Sequence, residues 1–417
     1  MTILVNEFTL QDVNIIPKEL SKVKSRKEVN LNYKYDKLPI ISSPMAYFSH
    51  LNAIYLKNKN PEDLFFVYTL PRISPNKNLL IESLKRIYKE YEMLNNEEIE
   101  EFRSFLKFLI KEKIIPFNNE KEFFYYDFIE VFKTFYKQHL NYFDIDVRIN
   151  AAKLLRQEKI PFIPSISLKD FYNKDKKEKM IELVILSNTD YYLIDVANGY
   201  MEEIIKVIKF LEKYTTKTPI FGNIISGDIL YDYRFEGINK LGIRIGIGNG
   251  SQCLTTVTTG IGRPQFSALF EVYNTALEVF SNKENITLIN DGGVRGYSDI
   301  AVALLFSDFI MTNYLFKGSE LNIHRIFSIK NEKVISYGMA SKYAKLKDDG
   351  YIEGDITYSN RIDISTIRNN IVSSLQSTLS YVGCKDIKEY DYANLKDRIA
   401  LTLNSSISMK NQAGLKE

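Results

Sequence analysis

Eight short apolar runs, spaced along most of the chain, constrain its fold more than any other feature. They are "LPIISSPM" (38–45), "LFFVYTL" (64–70), "IPFIPSI" (160–166), "YYLIDVA" (191–197), "TPIFGNII" (218–225), "GIRIGIG" (242–248), "ITLINDGG" (286–293) and "DFIMTNY" (308–314). Each has the length of a buried strand, and stretches with apolar residues at helical spacing separate them. Alternating strands and helices imply a parallel sheet, and eight is the number that closes a (β/α)8 TIM barrel of the α/β class. Several runs end in polar or special residues: Ser43, Arg72, Asp195, Asn223, Gly248 and Asp291. A barrel of this kind assembles its active site at those C-terminal strand ends.

One segment breaks the alternation. From about residue 76 to 157 the pattern is helical and charged, as in "NLLIESLKRIYKEYEMLNNEEIEEFRSFLKFLIKEK". The expected division is therefore a barrel formed by residues 1–73 and 158–417, with a helical insertion over 74–157 after the second strand. The Phe/Tyr-rich part "EFFYYDFIEVFKTFYKQHLNYF" reads as the insertion's core, because aromatic stripes at helical spacing are usually buried. Glycine divides the chain as well. None of the 19 glycines precedes Gly199, so any glycine-dependent phosphate loop belongs to the second half.

Composition narrows the function classes. Two cysteines, Cys253 and Cys384, supply no disulfide framework and no metal-finger spacing, which suits a reducing cytoplasm. The three histidines, His50, His139 and His324, share no motif, which disfavours a zinc site or a histidine-led triad. With 55 Lys+Arg against 52 Asp+Glu, the net charge of +3 gives no footprint for nucleic acid. No apolar run reaches bilayer-spanning length and "MTILVNEFTLQDV" lacks a signal-peptide pattern, so the expectation is a soluble protein with no membrane partner.

Two glycine motifs carry the chemistry. In "GIGNGSQCLTT" a strand runs into a glycine-serine loop that sets Cys253 beside backbone N–H groups and the hydroxyls of Ser251, Thr255 and Thr256. Such a setting activates a thiol, although an inert buried cysteine fits the same pattern. In "NDGGVRGYSDI" a carboxylate and two glycines stand between a strand and a helix start. Asp291 suits a ribose diol, and Gly292 and Gly293 suit the close approach of a phosphate. A bare DGG is weak evidence alone.

The order of these motifs resembles the IMP dehydrogenase/GMP reductase family. "FTLQDVNIIP" and "LPIISSPM" look like its opening motif and first strand, and "GIGNGSQCLTTVTTGIGRPQFSA" like its cysteine loop. "INDGGVRGYSDIAVAL", "YGMASKYAK" and "STLSYVGCKDIKE" follow in family order. The resemblance implies hydride transfer at C2 of a purine nucleotide, with Cys253 as the covalent nucleophile. It implies that Ser251, Gly293 and Tyr337, with Gly292 and Gly338 beside them, hold the 5′-phosphate, Asp291 the ribose, and Met339 and Gly354 the base. Asp195, Asn198 and Gly199 fall at its cofactor side. Carbonyls of Gly248, Gly250 and Cys253 would ring a monovalent cation such as K+, and the assembly would be a homotetramer.

Within the family the reductase branch fits better than the dehydrogenase. "DVANGY" is similar to reductase wording at the fourth strand, and the flap between "YGMAS" and "EGD" is short, with no Arg-Tyr pair to activate water. The implied activity is NADPH-dependent reductive deamination of GMP to IMP, with NAD as the alternative cofactor and Thr255 and Glu353 passing a proton to the departing amine. Two positions depart from the pattern. Arg72 in "TLPRIS" stands where the reductase has a lysine, and Asn313-Tyr314 replaces a Gly-Gly pair expected for phosphate binding. The alternatives are an IMP dehydrogenase-like enzyme, an oxidoreductase for another purine nucleotide, and a non-catalytic nucleotide-binding homologue.

Overall fold

A computed structural model describes residues 7–90, 97–119, 122–123, 127–232, 235–280, 283–345 and 354–403. Each of the eight apolar runs contains a strand: β1 (Ile40–Ser42), β2 (Tyr68–Leu70), β3 (Phe162–Ile166), β4 (Tyr191–Ile194), β5 (Thr218–Ile224), β6 (Leu241–Ile245), β7 (Ile286–Asp291) and β8 (Phe309–Thr312). All neighbours are parallel, in the order β1-β8-β7-β6-β5-β4-β3-β2. A bridge between Ile41 and Val67 closes the ring, with Ser42 N–H donating to the Val67 carbonyl (3.0 Å) and Val67 N–H to that of Ile40 (2.9 Å). The protein is thus an α/β fold of the (β/α)8 TIM-barrel type.

The strands read as continuous apolar runs because both their faces are buried. Ile41, Ile163, Tyr191, Leu193, Ile220, Ile289, Phe309 and Met311 fill the barrel interior, while Tyr192, Ile194 and Ile310 point to the helices outside. Tyr33 and Tyr35 pack against the interior cluster, and the edge of Tyr33 meets the Phe309 ring at 5.2 Å. The N-terminal strand ends are thereby covered, and the opposite end holds the polar residues.

Two further antiparallel pairs lie outside the barrel. Val13–Pro17 pairs with Ile399–Leu403, and Val334–Tyr337 pairs with Ile356–Ser359. The second pair is a hairpin standing on the C-terminal side of the barrel after β8. It carries the segment expected as the short flap.

After β2 the chain forms helices Lys77–Glu90, Glu100–Lys111 and Phe128–Phe135, a wider turn at Tyr136–Leu140, and helix Ile145–Gln157. The aromatic stripes are core: Phe102, Phe105, Phe132 and Phe135 are buried around Phe327, which follows β8. An ion cluster fastens this contact. Arg325 pairs with Glu101 of the segment and with Asp363 (2.8 Å), and Arg361 pairs with the other Glu101 oxygen (2.8 Å). Glu101, Glu320 and Asp363 converge as a metal-binding set would, yet the Arg325 guanidinium pairs with all three and Arg361 with Glu101, so arginine stands where an ion would. Helix Ile145–Gln157 packs on helix Lys174–Leu186, between β3 and β4, and Arg148 makes a buried two-pronged pair with Asp170 (2.7 and 3.0 Å). Among the described residues, no helix is long and apolar enough to cross a membrane.

Candidate active site

The loop after β6 bends through Gly246 and Gly248, whose φ angles of +133° and +79° favour glycine. A Cβ on Gly248 would lie 1.8 Å from Thr256 Oγ1, so the loop folds directly onto the start of helix Thr255–Thr259. Cys253 closes this turn: its N–H donates to the Gly250 carbonyl (3.1 Å), and its half-buried Sγ donates to Thr255 Oγ1 (3.1 Å). Ser251 Oγ is buried and has no hydrogen-bond partner among the described residues. That atom needs a partner from outside the fold.

The loop is bridged to the flap. Cys253 pairs with Gly354, Asp355 N–H donates to the Gln252 carbonyl (3.3 Å), and Gly338 N–H donates to the Asp355 carbonyl (2.9 Å). Gly338 and Gly354 pack backbone to backbone, since a Cβ on Gly338 would come within 2.8 Å of the Gly354 Cα. Met339 lies on the same wall, where its sulfur accepts from Ala46 N–H (3.3 Å). Glu353 falls outside the described residues.

On the facing strand ends, four charged side chains form one chain of ion pairs. Arg72 Nε donates to Asp195 Oδ2 (2.9 Å), Arg244 Nη1 to Asp195 Oδ1 (3.1 Å), and Arg244 Nε to Asp291 Oδ2 (2.7 Å). Asn223 Nδ2 also donates to Asp291 Oδ2 (2.6 Å). Burial works against the Arg244 charge, but Asp291 and Asp195 outweigh it and hold the guanidinium firmly protonated. Two cations meet two carboxylates, so the network is neutral as a whole.

Gly292 and Gly293 follow Asp291 with φ of +102° and +75°. A Cβ on Gly293 would collide with Gln265 at 2.7 Å. Their loop is held from behind, with Gln11 Nε2 bonded to the Gly293 carbonyl (2.8 Å) and to Asp299 Oδ2 (2.6 Å). At the end of β4, Gly199 N–H donates to the Asn223 carbonyl (2.9 Å), and exposed Asn198 accepts from Tyr200 N–H (3.0 Å). A Cβ on Gly199 would sit 2.7 Å from that carbonyl, which explains the glycine.

Cys253, Thr255, Ser251, Gly338, Met339 and Gly354 thus belong to the cysteine loop and the flap bridged to it, the Gly292-Gly293 turn adjoins that loop through Gly293 N–H donating to the Asn249 carbonyl (3.1 Å), and Arg72, Asp195 and Asp291 lie at the strand ends. Tyr337 behaves differently. It is fully buried, and its hydroxyl accepts the Asn76 N–H (2.8 Å) at the start of the first segment helix. Asn76 Nδ2 in turn bonds the Tyr343 carbonyl (2.8 Å) in the flap.

Sequence reasoning passed over two residues that organise the site. Arg244 was hidden inside the run "GIRIGIG", where a lone charge in an apolar strand was the available signal. Gln252 had no signal, and Asn313, marked in the sequence only as a departure from an expected glycine, is its partner: Gln252 Nε2 donates to Ser336 Oγ (2.6 Å), and its Oε1 accepts from Asn313 (2.9 Å) and Tyr47 (3.1 Å). These contacts tie the cysteine loop to β8 and the hairpin.

The family model described as "IMP dehydrogenase / GMP reductase domain" matches residues 165–413. The chain is 34% identical over 218 residues to GMP reductase of Buchnera aphidicola subsp. Acyrthosiphon pisum (strain Tuc7), covering 49% of this chain and 60% of that protein. It is 32% identical to GMP reductase of Escherichia coli O81 (strain ED1a), over 51% of this chain and 62% of that protein. It is 29% identical to human GMP reductase 1, over 51% and 63%. The match spans about three fifths of the length of each of these relatives. With the matched region running from β3 through the cysteine loop, the DGG turn and the flap, this chain belongs to the IMP dehydrogenase/GMP reductase family.

Proposed function

We propose that the protein is an oxidoreductase that converts GMP to IMP, with NADPH as reductant and Cys253 as covalent nucleophile. The observation that carries this reading is the Cys253 Sγ to Thr255 Oγ1 hydrogen bond, in a loop bridged to Gly354. It pairs a thiol with a hydroxyl relay beside the flap. The names of the relatives above support the substrate.

In this reading Cys253 gives its proton to Thr255 and its sulfur adds to C2 of the guanine ring. Ammonia leaves poorly as an amide ion, so a proton must reach the 2-amino group. Thr255 supplies that path, with Glu353 as the partner that the family resemblance implies. The amine departs as ammonia, leaving sulfur on C2. Once a hydride has added to C2, the C–S bond breaks, the sulfur leaves as a thiolate, and a proton from solvent restores the Cys253 thiol. The nicotinamide cofactor, when bound, supplies that hydride. Asp195, Asn198 and Gly199 would hold it; the exposed Asn198 amide nitrogen, without a hydrogen bond among the described residues, fits that role.

Ser251, with its orphaned hydroxyl, and the glycine turn at 292–293 fit the nucleotide phosphate. Asp291 fits the ribose, its second carboxylate oxygen remaining for a diol. A K+ ion on the carbonyls of Gly248, Gly250 and Cys253 would share the Gly250 oxygen with the Cys253 N–H. We assign a homotetramer on the same resemblance. A second reading, reduction of another purine nucleotide, draws on Asn313-Tyr314, whose side chains stand where glycines were expected.

The test is to mix purified protein with GMP and NADPH and to follow cofactor absorbance and ammonia together. Equal loss of NADPH and gain of ammonia, abolished in Cys253→Ala, is the expected result. No turnover with GMP, alongside turnover of IMP with NAD, would reassign the chain to the dehydrogenase side.

A further inference from the structure

Tyr314, just after β8, stands where the family resemblance leads one to expect a glycine, and two cations converge on its ring. Lys317 Nζ lies 4.7 Å from the ring centroid and the Arg295 guanidinium carbon 5.9 Å. Arg295 comes from the turn after Gly293, and its Nη2 stands 3.5 Å from the Asn249 carbonyl in the cysteine loop. Among the described residues neither cation has an ion-pair partner, whereas Arg72 and Arg244 are fully matched by Asp195 and Asp291. Burial, and then Arg295, push the Lys317 ammonium below its ordinary range. Two like charges held together without a carboxylate are stabilised by an anion. The Asn313 side chain is engaged on the other side, its Oδ1 accepting from Tyr47 (2.7 Å) and its Nδ2 donating one hydrogen to Gln252 (2.9 Å). Tyr337 is fully buried, its hydroxyl accepting from Asn76 N–H and lying 3.3 Å from His324 Nε2, so it is enclosed within the fold.

We propose that Arg295 and Lys317, set against Tyr314, form the phosphate grip of this chain and recognise the 5′-phosphate monoester of the nucleotide substrate. The assignment rests on the nucleotide reading above, with side-chain charge replacing the backbone approach that glycine allows. Its placement between the Gly293 turn and the Asn249–Ser251 loop, where Ser251 Oγ is unpartnered, favours the substrate's phosphate over one on the cofactor.

The test is equilibrium binding by the full-length protein, wild type against Lys317→Met, Arg295→Gln and the double variant, with melting curves to confirm folding. The probes are inorganic phosphate, GMP, IMP, AMP and CMP, each nucleotide paired with its nucleoside, and NADPH paired with NADH. The expected result is a nucleotide Kd raised about ten- to hundredfold in each single variant, with nucleoside binding unchanged. Loss of the NADPH preference over NADH with GMP binding intact would overturn the assignment, placing the pair at the cofactor's phosphate. Unchanged KM for GMP in an active enzyme would overturn it while leaving the reductase reading standing. Phosphate and nucleotide binding that depends on the pair, in a protein that does not turn over GMP, would support the grip and sink the reductase reading alone.

Discussion

Arg244 on β6 bonds Asp291 at the end of β7 at 2.7 Å and, through its other nitrogen, Asp195 beyond β4 at 3.1 Å. One strand-borne guanidinium therefore fixes both carboxylates that face the mouth. Arg244→Met would leave two mostly buried carboxylates with reduced compensation. The expected cost is about 2–4 kcal/mol of stability by urea unfolding, together with weaker ribose-dependent binding. A variant as stable as wild type with unaltered nucleotide affinity would remove Arg244 from the site.

The Cys253 loop depends on Gly248, where φ is +79° and a Cβ would meet Thr256 Oγ1 at 1.8 Å. Gly248→Ala must displace helix Thr255–Thr259 and with it the Thr255 hydroxyl. A shift of about 1 Å at a reacting group costs on the order of a hundredfold in rate. Steady-state kinetics should show kcat falling more than KM rises.

Arg148 and Asp170, which are not among the site residues, form a buried pair beside the end of β3, where Arg148 also bonds the Ser165 carbonyl (3.1 Å) and Ser167 donates to Asp170 (2.9 Å). Arg148→Met should cost about 3–5 kcal/mol, because the carboxylate stays behind unpaired. Adding Asp170→Leu should recover much of that loss. Activity per folded molecule should stay at the wild-type level in both, as read by activity against the folded fraction.

His50 and His324 are both fully enclosed, and burial holds each imidazole down to about 3. In the unfolded chain they titrate at about 6.5. Between those limits the unfolded state binds more protons, so stability is full above about pH 6.5 and falls as the solution is acidified below it. Each contributes up to about 1.4 kcal/mol per pH unit in that window. His50→Gln with His324→Gln should flatten the dependence of the melting temperature between pH 6.5 and 4.5, and an unchanged slope would refute the contribution.

Much of the barrel was readable because its strands are short, apolar and separated by helical spacing, so all eight could be placed without knowing their order. The strand-end residues Arg72, Asp195, Asn223 and Asp291 were visible as polar endings to apolar runs. What sequence could not show was partnership. Nothing in "GIRIGIG" says that Arg244 reaches two strands in opposite directions, because side chains that meet across a barrel mouth are separated by 47 and 49 positions. The antiparallel pair of Val13–Pro17 with Ile399–Leu403 was also hidden, its members lying at opposite ends of the chain. Helix Ile145–Gln157 illustrates a third limit: its charged, helical pattern matches the segment before it, while only packing shows it seated on the helix between β3 and β4.

The Tyr337 hydroxyl, bonded to Asn76 N–H, has a bearing on how this molecule can be trimmed. Splicing out residues 77–140 to obtain a bare barrel would cut the chain one residue beyond that amide and expose the pocket it caps, where His324 Nε2 also lies 3.3 Å from the hydroxyl. A shortened protein would therefore need Tyr337→Phe, or a replacement turn that restores an N–H at position 76. The helices after β2 are in this sense a keystone for the hairpin and not an ornament on it.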